Sequence, residues 1–175
     1  MLTFKDISNF NKIGDYLPIL NGAIFAELIV LFIVYYTPYF DSRKLMDWYE
    51  TYRLSAVIAD VLILVIGIIL TRLVFSAFKL KWNIWKFLLV LVGIQVVHDI
   101  LFYGIFSSVP RGINKMMDLF KSYAKEVGVG AVLGDSFMIV ISALAAMYFA
   151  GLSQNNNIIL LITLVYLIPY IIYTK

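Results

Sequence analysis

Five long runs of apolar residues constrain this 175-residue chain more than any other feature of its sequence. They cover residues 17–40, 54–80, 82–106, 128–152 and 158–173, and a helix needs about 20 residues to cross a hydrocarbon core. Lipid offers the backbone no hydrogen-bond partner, so a spanning segment must be a helix or a strand of a closed barrel. The runs are nearly continuous and lack the alternation of barrel strands. We therefore predict an all-α, polytopic membrane bundle of five transmembrane helices, in a single transmembrane domain over residues 1–175.

Two segments leave alternatives open. The fifth run is short and carries Pro169 near its end, so it can also form a hairpin or a surface segment. Near the N-terminus, apolar residues at roughly helical spacing stand among Lys5, Asp6 and Lys12. They allow a short segment on the membrane surface, and the mixed composition equally allows a frayed terminus.

The composition excludes several classes of protein. Hydrophobic residues make up 62% of the chain and charged residues only 14%, which excludes an ordinary soluble domain and a disordered chain. The net charge of +3 is too small and too dispersed to follow a phosphate backbone, so we expect no nucleic-acid partner. Because the chain has no cysteine, it has no disulfide, no thiolate nucleophile and no cysteine metal site.

The distribution of basic residues predicts an orientation. Arg72 lies late in the second run, just after Thr71, and we expect its side chain to snorkel toward Lys79 and Lys81 at the membrane surface. With Arg72 left aside, the side of the membrane that holds the N-terminus has 5 Lys and Arg residues near or beyond the ends of the runs, and the other side has 8. The positive-inside rule then favours an N-terminus outside and a cytoplasmic C-terminus.

The connection between the third and fourth runs predicts an additional helix over residues 113–127. Its apolar positions follow i, i+3, i+4, i+7 spacing, and Lys, Asp, Ser and Glu residues occupy the opposite face. This pattern is typical of an amphipathic helix in the membrane interface. Two roles remain open for it: sensing of anionic lipid or docking of a partner, and simple connection along its own bundle.

Ionisable residues inside the apolar runs cost several kcal/mol each on insertion scales, so they call for an explanation. Apart from Arg72 and the lysines near the ends of the runs, this chain has five well inside them: Glu27, Asp60, His98, Asp99 and Asp135. At a rise of 1.5 Å per residue, all but Glu27 lie roughly 9–12 Å inside the same face of the membrane. Gln95 shares one side of its helix with His98 and Asp99. We therefore expect an intramembrane polar cluster contributed by three helices, with Glu27 nearer the middle of the membrane.

Such a cluster fits several functions. Carboxylates and a histidine at one depth are typical of proton or cation paths in carriers and channels, and a His–Asp pair near the interface can act as a general base on lipid. The paired Glu-x-x-His of di-iron bundles is absent and no catalytic motif is recognised, so we expect neither a metal nor a cofactor. The alternative is structural: the cluster residues bond to each other and fix the helix register.

Two stretches look like motif cores, YRLSAVIAD (Tyr52 to Asp60) and VVHDILFY (Val96 to Tyr103), in a chain rich in Ile, Tyr, Phe, Asn and Lys. In this the chain resembles the uncharacterised small multispanning membrane proteins of large DNA viruses. The resemblance implies a component of a virion or a host membrane, and it implies no catalytic residue.

The sequence therefore predicts a multi-pass protein with a structural or assembly role in a cellular or viral membrane. The alternative is a small carrier, a channel or a lipid-modifying enzyme that uses the Asp/His cluster. The expected partners are the lipid bilayer and, for an assembly role, a second copy of the chain or other membrane or capsid proteins.

Overall fold

A computed structural model describes residues 3–39 and 42–173 of the chain. Over these residues the chain forms seven α-helices and a short 3-10 helix at Ile13–Asp15, and it forms no β-strand. The helices are α1 (Tyr16–Tyr36), α2 (Arg43–Tyr52), α3 (Leu54–Ala77), α4 (Ile84–Ser108), α5 (Lys115–Val127), α6 (Val129–Phe149) and α7 (Gln154–Ile172).

Five of the helices in the described part of the chain, α1, α3, α4, α6 and α7, are long and apolar enough to cross a membrane. The all-α prediction is confirmed, and these helices fit a multi-pass integral membrane protein. The fifth run is a helix rather than a hairpin. It begins at Gln154, four residues before the predicted start, because Ser153 caps its first turn by accepting a hydrogen bond from the Asn156 backbone N–H at 3.2 Å. The first run becomes helical only as far as Tyr36, and residue 40 lies outside the described residues.

Helix α1 is the centre of the bundle and packs against α3, α6 and α7. Its closest approach is to α6, where Gly22 lies against the backbone of Ser142 and Ala146. Toward α7, the Asn21 amide donates to the carbonyl and to the side-chain oxygen of Asn157 at 2.9 and 3.1 Å. Both asparagines are buried, so this pair satisfies polar groups that lipid and apolar side chains cannot.

Helices α2 and α5 contact each other at one end of the bundle. Glu126, at the end of α5, accepts hydrogen bonds from the Ser42 hydroxyl at 2.7 Å and from the Lys44 backbone N–H at 3.2 Å. These contacts lower the pKa of the Glu126 carboxyl below its ordinary value, led by the Ser42 bond. The helix predicted at 113–127 thus forms as α5, from Lys115 to Val127, whereas its seat in a membrane interface stays a prediction.

The opposite end of the bundle is closed by the N-terminal segment, and here the expectation for Arg72 is wrong. Arg72 does not snorkel: it is fully buried, its Nη2 donates to the carbonyl oxygens of Asn9 and Lys12, and its guanidinium lies over the Tyr16 ring. Residues 3–12 pack against the bundle without forming a helix, with the Lys5 N–H bonded to the Met147 carbonyl at 3.0 Å. The segment is therefore not a frayed terminus, because its carbonyls accept two hydrogen bonds from Arg72 Nη2, whereas its location on the membrane surface stays a prediction.

Candidate functional site

A partly open cavity of about 520 Å³ lies among the helices, toward the end where α2 and α5 meet. Three membrane-length helices, α3, α4 and α6, supply much of its wall, α2 and α5 supply most of the rest, and α1 contributes Val30. Most of the lining is apolar, with Leu, Ile, Met, Phe and Trp side chains. A volume of this size falls within the range of small-molecule binding sites, which is roughly 300–1,000 Å³.

The polar residues that the sequence singled out come together in this cavity. Asp60 from α3, Gln95, His98 and Asp99 from α4, and Asp135 from α6 all line it. The equal depths calculated from helical rise thus correspond to one shared space. Glu27 does not line the cavity; it lies in α1, fully buried behind the wall.

The hydrogen bonds of the cluster stay local. The Gln95 amide donates to Asp99 Oδ1 at 2.8 Å, and His98 Nδ1 lies 3.2 Å from the same oxygen, so both contacts stay within α4. Asp60 Oδ2 accepts from the Trp48 indole N–H of α2 at 3.0 Å. Asp99 Oδ2 is buried without a hydrogen-bond partner, and the Asp135 carboxyl makes no hydrogen bond within residues 3–39 and 42–173. The cluster therefore does not tie α3, α4 and α6 together.

Behind the cavity wall, Tyr49 connects the cluster to Glu27. Burial, followed by the carboxyl groups of Glu27 and Asp60 beside it, raises the pKa of the Tyr49 phenol well above its ordinary value. The phenol consequently keeps its proton and can donate it in a hydrogen bond. Neither oxygen of Glu27 makes a hydrogen bond of ordinary geometry. A buried carboxyl thus stands one side chain away from the cavity.

Aromatic side chains of three helices form an apolar part of the cavity wall. The Phe120 ring of α5 packs against Trp48 at 4.8 Å, against Phe102 at 5.2 Å and against Phe106 at 6.0 Å between centroids. Tyr123, one helical turn further along α5, also lines the cavity. Burial, and next the Asp135 carboxyl, raises the pKa of its phenol, so Tyr123 stays a hydrogen-bond donor near the acidic groups.

The pair of small residues at Gly130 and Gly134 serves this cavity instead of a helix contact. Their GxxxG spacing predicts close approach of a neighbouring helix. In the structure both glycines line the cavity, and a Cβ at Gly134 would meet nothing within 4 Å. The prediction is wrong, and the close approach occurs instead at Gly22 of α1. Missing side chains on α6 leave space beside Asp135.

Sequence reasoning missed the residues that α2 contributes. The position of Trp48, Tyr49 and Tyr52 after the first apolar run predicts an aromatic belt around a loop, whereas the chain forms a ten-residue helix there. A detectable signal was present: Leu45, Trp48, Tyr49 and Tyr52 follow i, i+3, i+4, i+7 spacing. Ser42 at the start is a favourable N-cap, and its hydroxyl accepts from the Leu45 N–H at 3.1 Å.

Within the described ranges, no three His, Asp or Glu side chains come together as a group that could hold a metal ion. Comparison of the chain with protein-family models, with curated proteins and with solved structures finds no match. The resemblance to multispanning viral proteins therefore stays a prediction.

Proposed function

We propose that this protein is a small membrane carrier that binds an amphiphilic molecule in the cavity between α3, α4 and α6. The observation that carries the proposal is the convergence of Asp60, Gln95, His98, Asp99 and Asp135 on one ligand-sized space. Ionisable groups within a membrane bundle are costly, and they are typical of substrate and ion pathways. The apolar wall suits the body of an amphiphile and the polar groups suit its head.

The hydrogen-bond pattern disfavours a purely structural cluster. A register-fixing role requires bonds between spanning helices, and among the described residues the cluster bonds lie within α4 or run from α2 to α3. Packing of the spanning helices relies on other groups, namely the Gly22 contact of α1 with α6 and the Asn21–Asn157 pair of α1 with α7. The Asp135 carboxyl and the Oδ2 atom of Asp99 therefore remain available to a ligand.

A lipid-modifying enzyme has less support. His98 and Asp99 form a pair that can act as a base, but acyl transfer also needs a nucleophile held by the histidine. No hydroxyl in the described part of the chain is hydrogen-bonded to His98. Ser42, the one serine among the described lining residues, is bonded to Glu126 and caps α2.

The absence of native cysteines allows a direct test by thiol modification. Ala131→Cys places a thiol in the cavity wall of α6, and Leu133→Cys places one on the same helix at a position that is 67% exposed and outside the cavity. Each variant is placed in sealed vesicles. A charged, impermeant methanethiosulfonate is added outside the vesicles in one sample and inside them in a second sample, and the rate of thiol modification is measured in both. A lipid-facing thiol reacts slowly because apolar surroundings disfavour its thiolate.

For a carrier we expect Ala131→Cys to react from both sides of the membrane, because its site alternates between them, while Leu133→Cys stays slow. Reaction of Ala131→Cys from one side only would contradict transport, and the cavity would then be a binding pocket that opens to that side alone. No reaction from either side would contradict a ligand-accessible cavity. The predicted orientation, with the N-terminus outside, is part of this proposal. A third single-cysteine variant, Lys5→Cys, tests this orientation, because the side of the membrane from which its thiol reacts is the side on which the N-terminus lies.

A further inference from the structure

We infer that the ligand of this cavity is an organic cation with an apolar body, such as a quaternary ammonium or phosphonium compound. This inference rests on the proposed carrier function and adds the sign of charge that the cavity selects. Two independent features carry it, namely the balance of charged groups and the aromatic wall.

The charged groups of the cavity are predominantly acidic. Asp60, Asp99 and Asp135 contribute three carboxyls from three different helices. Apart from His98, Lys44 is the one basic side chain among the lining residues that the structure describes, and its Nζ is held by Asp47 at 2.5 Å. A buried anion at this site would face three carboxyls without a free cationic partner, whereas a cation would neutralise them.

Hydrogen-bond acceptors without partners inside the cavity also favour a positively charged ligand. Asp99 Oδ2 is buried without a hydrogen-bond partner, although Oδ1 of the same carboxyl accepts from Gln95 and contacts His98. Asp135 likewise lacks a hydrogen bond in the described ranges. Buried acceptors are normally satisfied, so Asp99 Oδ2 is an acceptor that a bound cation would engage, and the partly exposed Asp135 carboxyl is free to engage it as well.

The aromatic wall accounts for the apolar body and adds to charge selection. Trp48, Phe102, Phe106 and Phe120 supply rings from α2, α4 and α5 to the cavity that the carboxyls line. The face of an aromatic ring carries negative potential and attracts a cation within about 6 Å, an attraction that strengthens away from water. Rings and carboxyls together are the usual means of recognising quaternary ammonium groups. A metal ion would bind to the carboxyls alone and would not contact the aromatic rings, whereas an organic cation with an apolar body would contact both.

Two probes of nearly the same shape and opposite charge test this inference on the unmodified protein. Binding of tetraphenylphosphonium and tetraphenylborate is measured by equilibrium dialysis with the protein in nanodiscs, and binding to empty nanodiscs is subtracted. We expect saturable binding of the phosphonium at one site and none of the borate. Asp135→Asn and, separately, Asp99→Asn should weaken phosphonium binding by about tenfold, the usual effect of losing a contact to a charged group.

Glu50→Gln is the matched control, because Glu50 is an exposed carboxylate of α2 outside the cavity, and it should bind the phosphonium like the unmodified protein. Equal binding of the phosphonium and the borate would overturn the inference of a cationic ligand, and the cavity would then be one that binds amphiphiles of either charge. Absence of phosphonium binding while Ala131→Cys still reacts from both sides would overturn the inference and retain the carrier. If the phosphonium does not bind and Ala131→Cys does not react from both sides, the proposed carrier function itself would be overturned. The comparison of the two probes stands even where an Asn variant fails to fold.

Discussion

The contact of α1 with α6 gives the sharpest prediction about the bundle. A Cβ added at Gly22 would lie 2.4 Å from the Ser142 carbonyl oxygen and 2.7 Å from the Ala146 backbone nitrogen, whereas ordinary contact begins at 3.4 Å. Both obstacles are backbone atoms, so Gly22→Ala requires the two helices to separate by about 1 Å at this level. A gap of that size forfeits a quarter to a half of the dispersion energy across the seam.

Two other glycines supply matched controls for this substitution. At Gly67 the added Cβ meets the end of the Ile139 side chain, which can rotate away, and at Gly93 it meets nothing within 4 Å. We expect Gly22→Ala to lower the free energy of unfolding by about 1–3 kcal/mol, the usual cost of overpacking. Gly67→Ala should cost less than Gly22→Ala, and Gly93→Ala should be neutral or stabilising by at most about 1 kcal/mol.

The assay is unfolding in mixed micelles by titration with dodecyl sulfate, followed by tryptophan fluorescence, for the three variants and the unmodified chain. We expect the free energy of unfolding to be lowest for Gly22→Ala, higher for Gly67→Ala and highest for Gly93→Ala. Equal stability of Gly22→Ala and Gly93→Ala would refute the close approach of α1 and α6.

Three further perturbations test other parts of the structure. Arg72→Met removes two charge-assisted hydrogen bonds, each worth roughly 1.5–3 kcal/mol, so amides at residues 9–12 should exchange hydrogen faster; unchanged protection would contradict the buried guanidinium. Because the pKa of Glu126 is lowered, its stabilising effect is complete above the ordinary glutamate pKa and is lost as pH falls through the lowered value. Amide protection in the first turn of α2 should follow that curve and should lose this pH dependence in Glu126→Gln, whose amide does not titrate and whose oxygen can still accept both bonds. Glu27→Gln keeps the side-chain volume and removes a buried acid, so stability should be unchanged or higher, and a large loss would imply an essential ionised Glu27.

Much of the bundle could be predicted because lipid leaves few options. A run of about 20 apolar residues must form a helix in a membrane, and all five runs do. Helical rise also converts sequence positions into depth, so the equal levels of Asp60, His98, Asp99 and Asp135 could be read directly from the chain. All four residues line one cavity, as their equal depths predict.

The failures have a common physical origin in tertiary contacts. Arg72 looked like a snorkelling residue because its partners, the carbonyls of Asn9 and Lys12, carry no signal in their side chains. The glycines of α6 looked like a helix contact because spacing does not tell whether a neighbour or a cavity occupies the space. Trp48 looked like a belt residue, since a short amphipathic helix that folds back on the bundle resembles an interfacial loop in composition. Each case depends on what faces the residue from a distant part of the chain.

One measurement tests the central claim most directly. Tetraphenylarsonium has nearly the shape and the same charge as the phosphonium probe, and its arsenic scatters anomalously. In crystals of the protein soaked with this probe, the account predicts an arsenic peak between α3, α4 and α6, beside the carboxyls of Asp99 and Asp135 and facing the Phe120 ring. Carboxyls of Asp60, Asp99 and Asp135 that point to separate surfaces, with no peak between them, would contradict both the cavity and its proposed ligand.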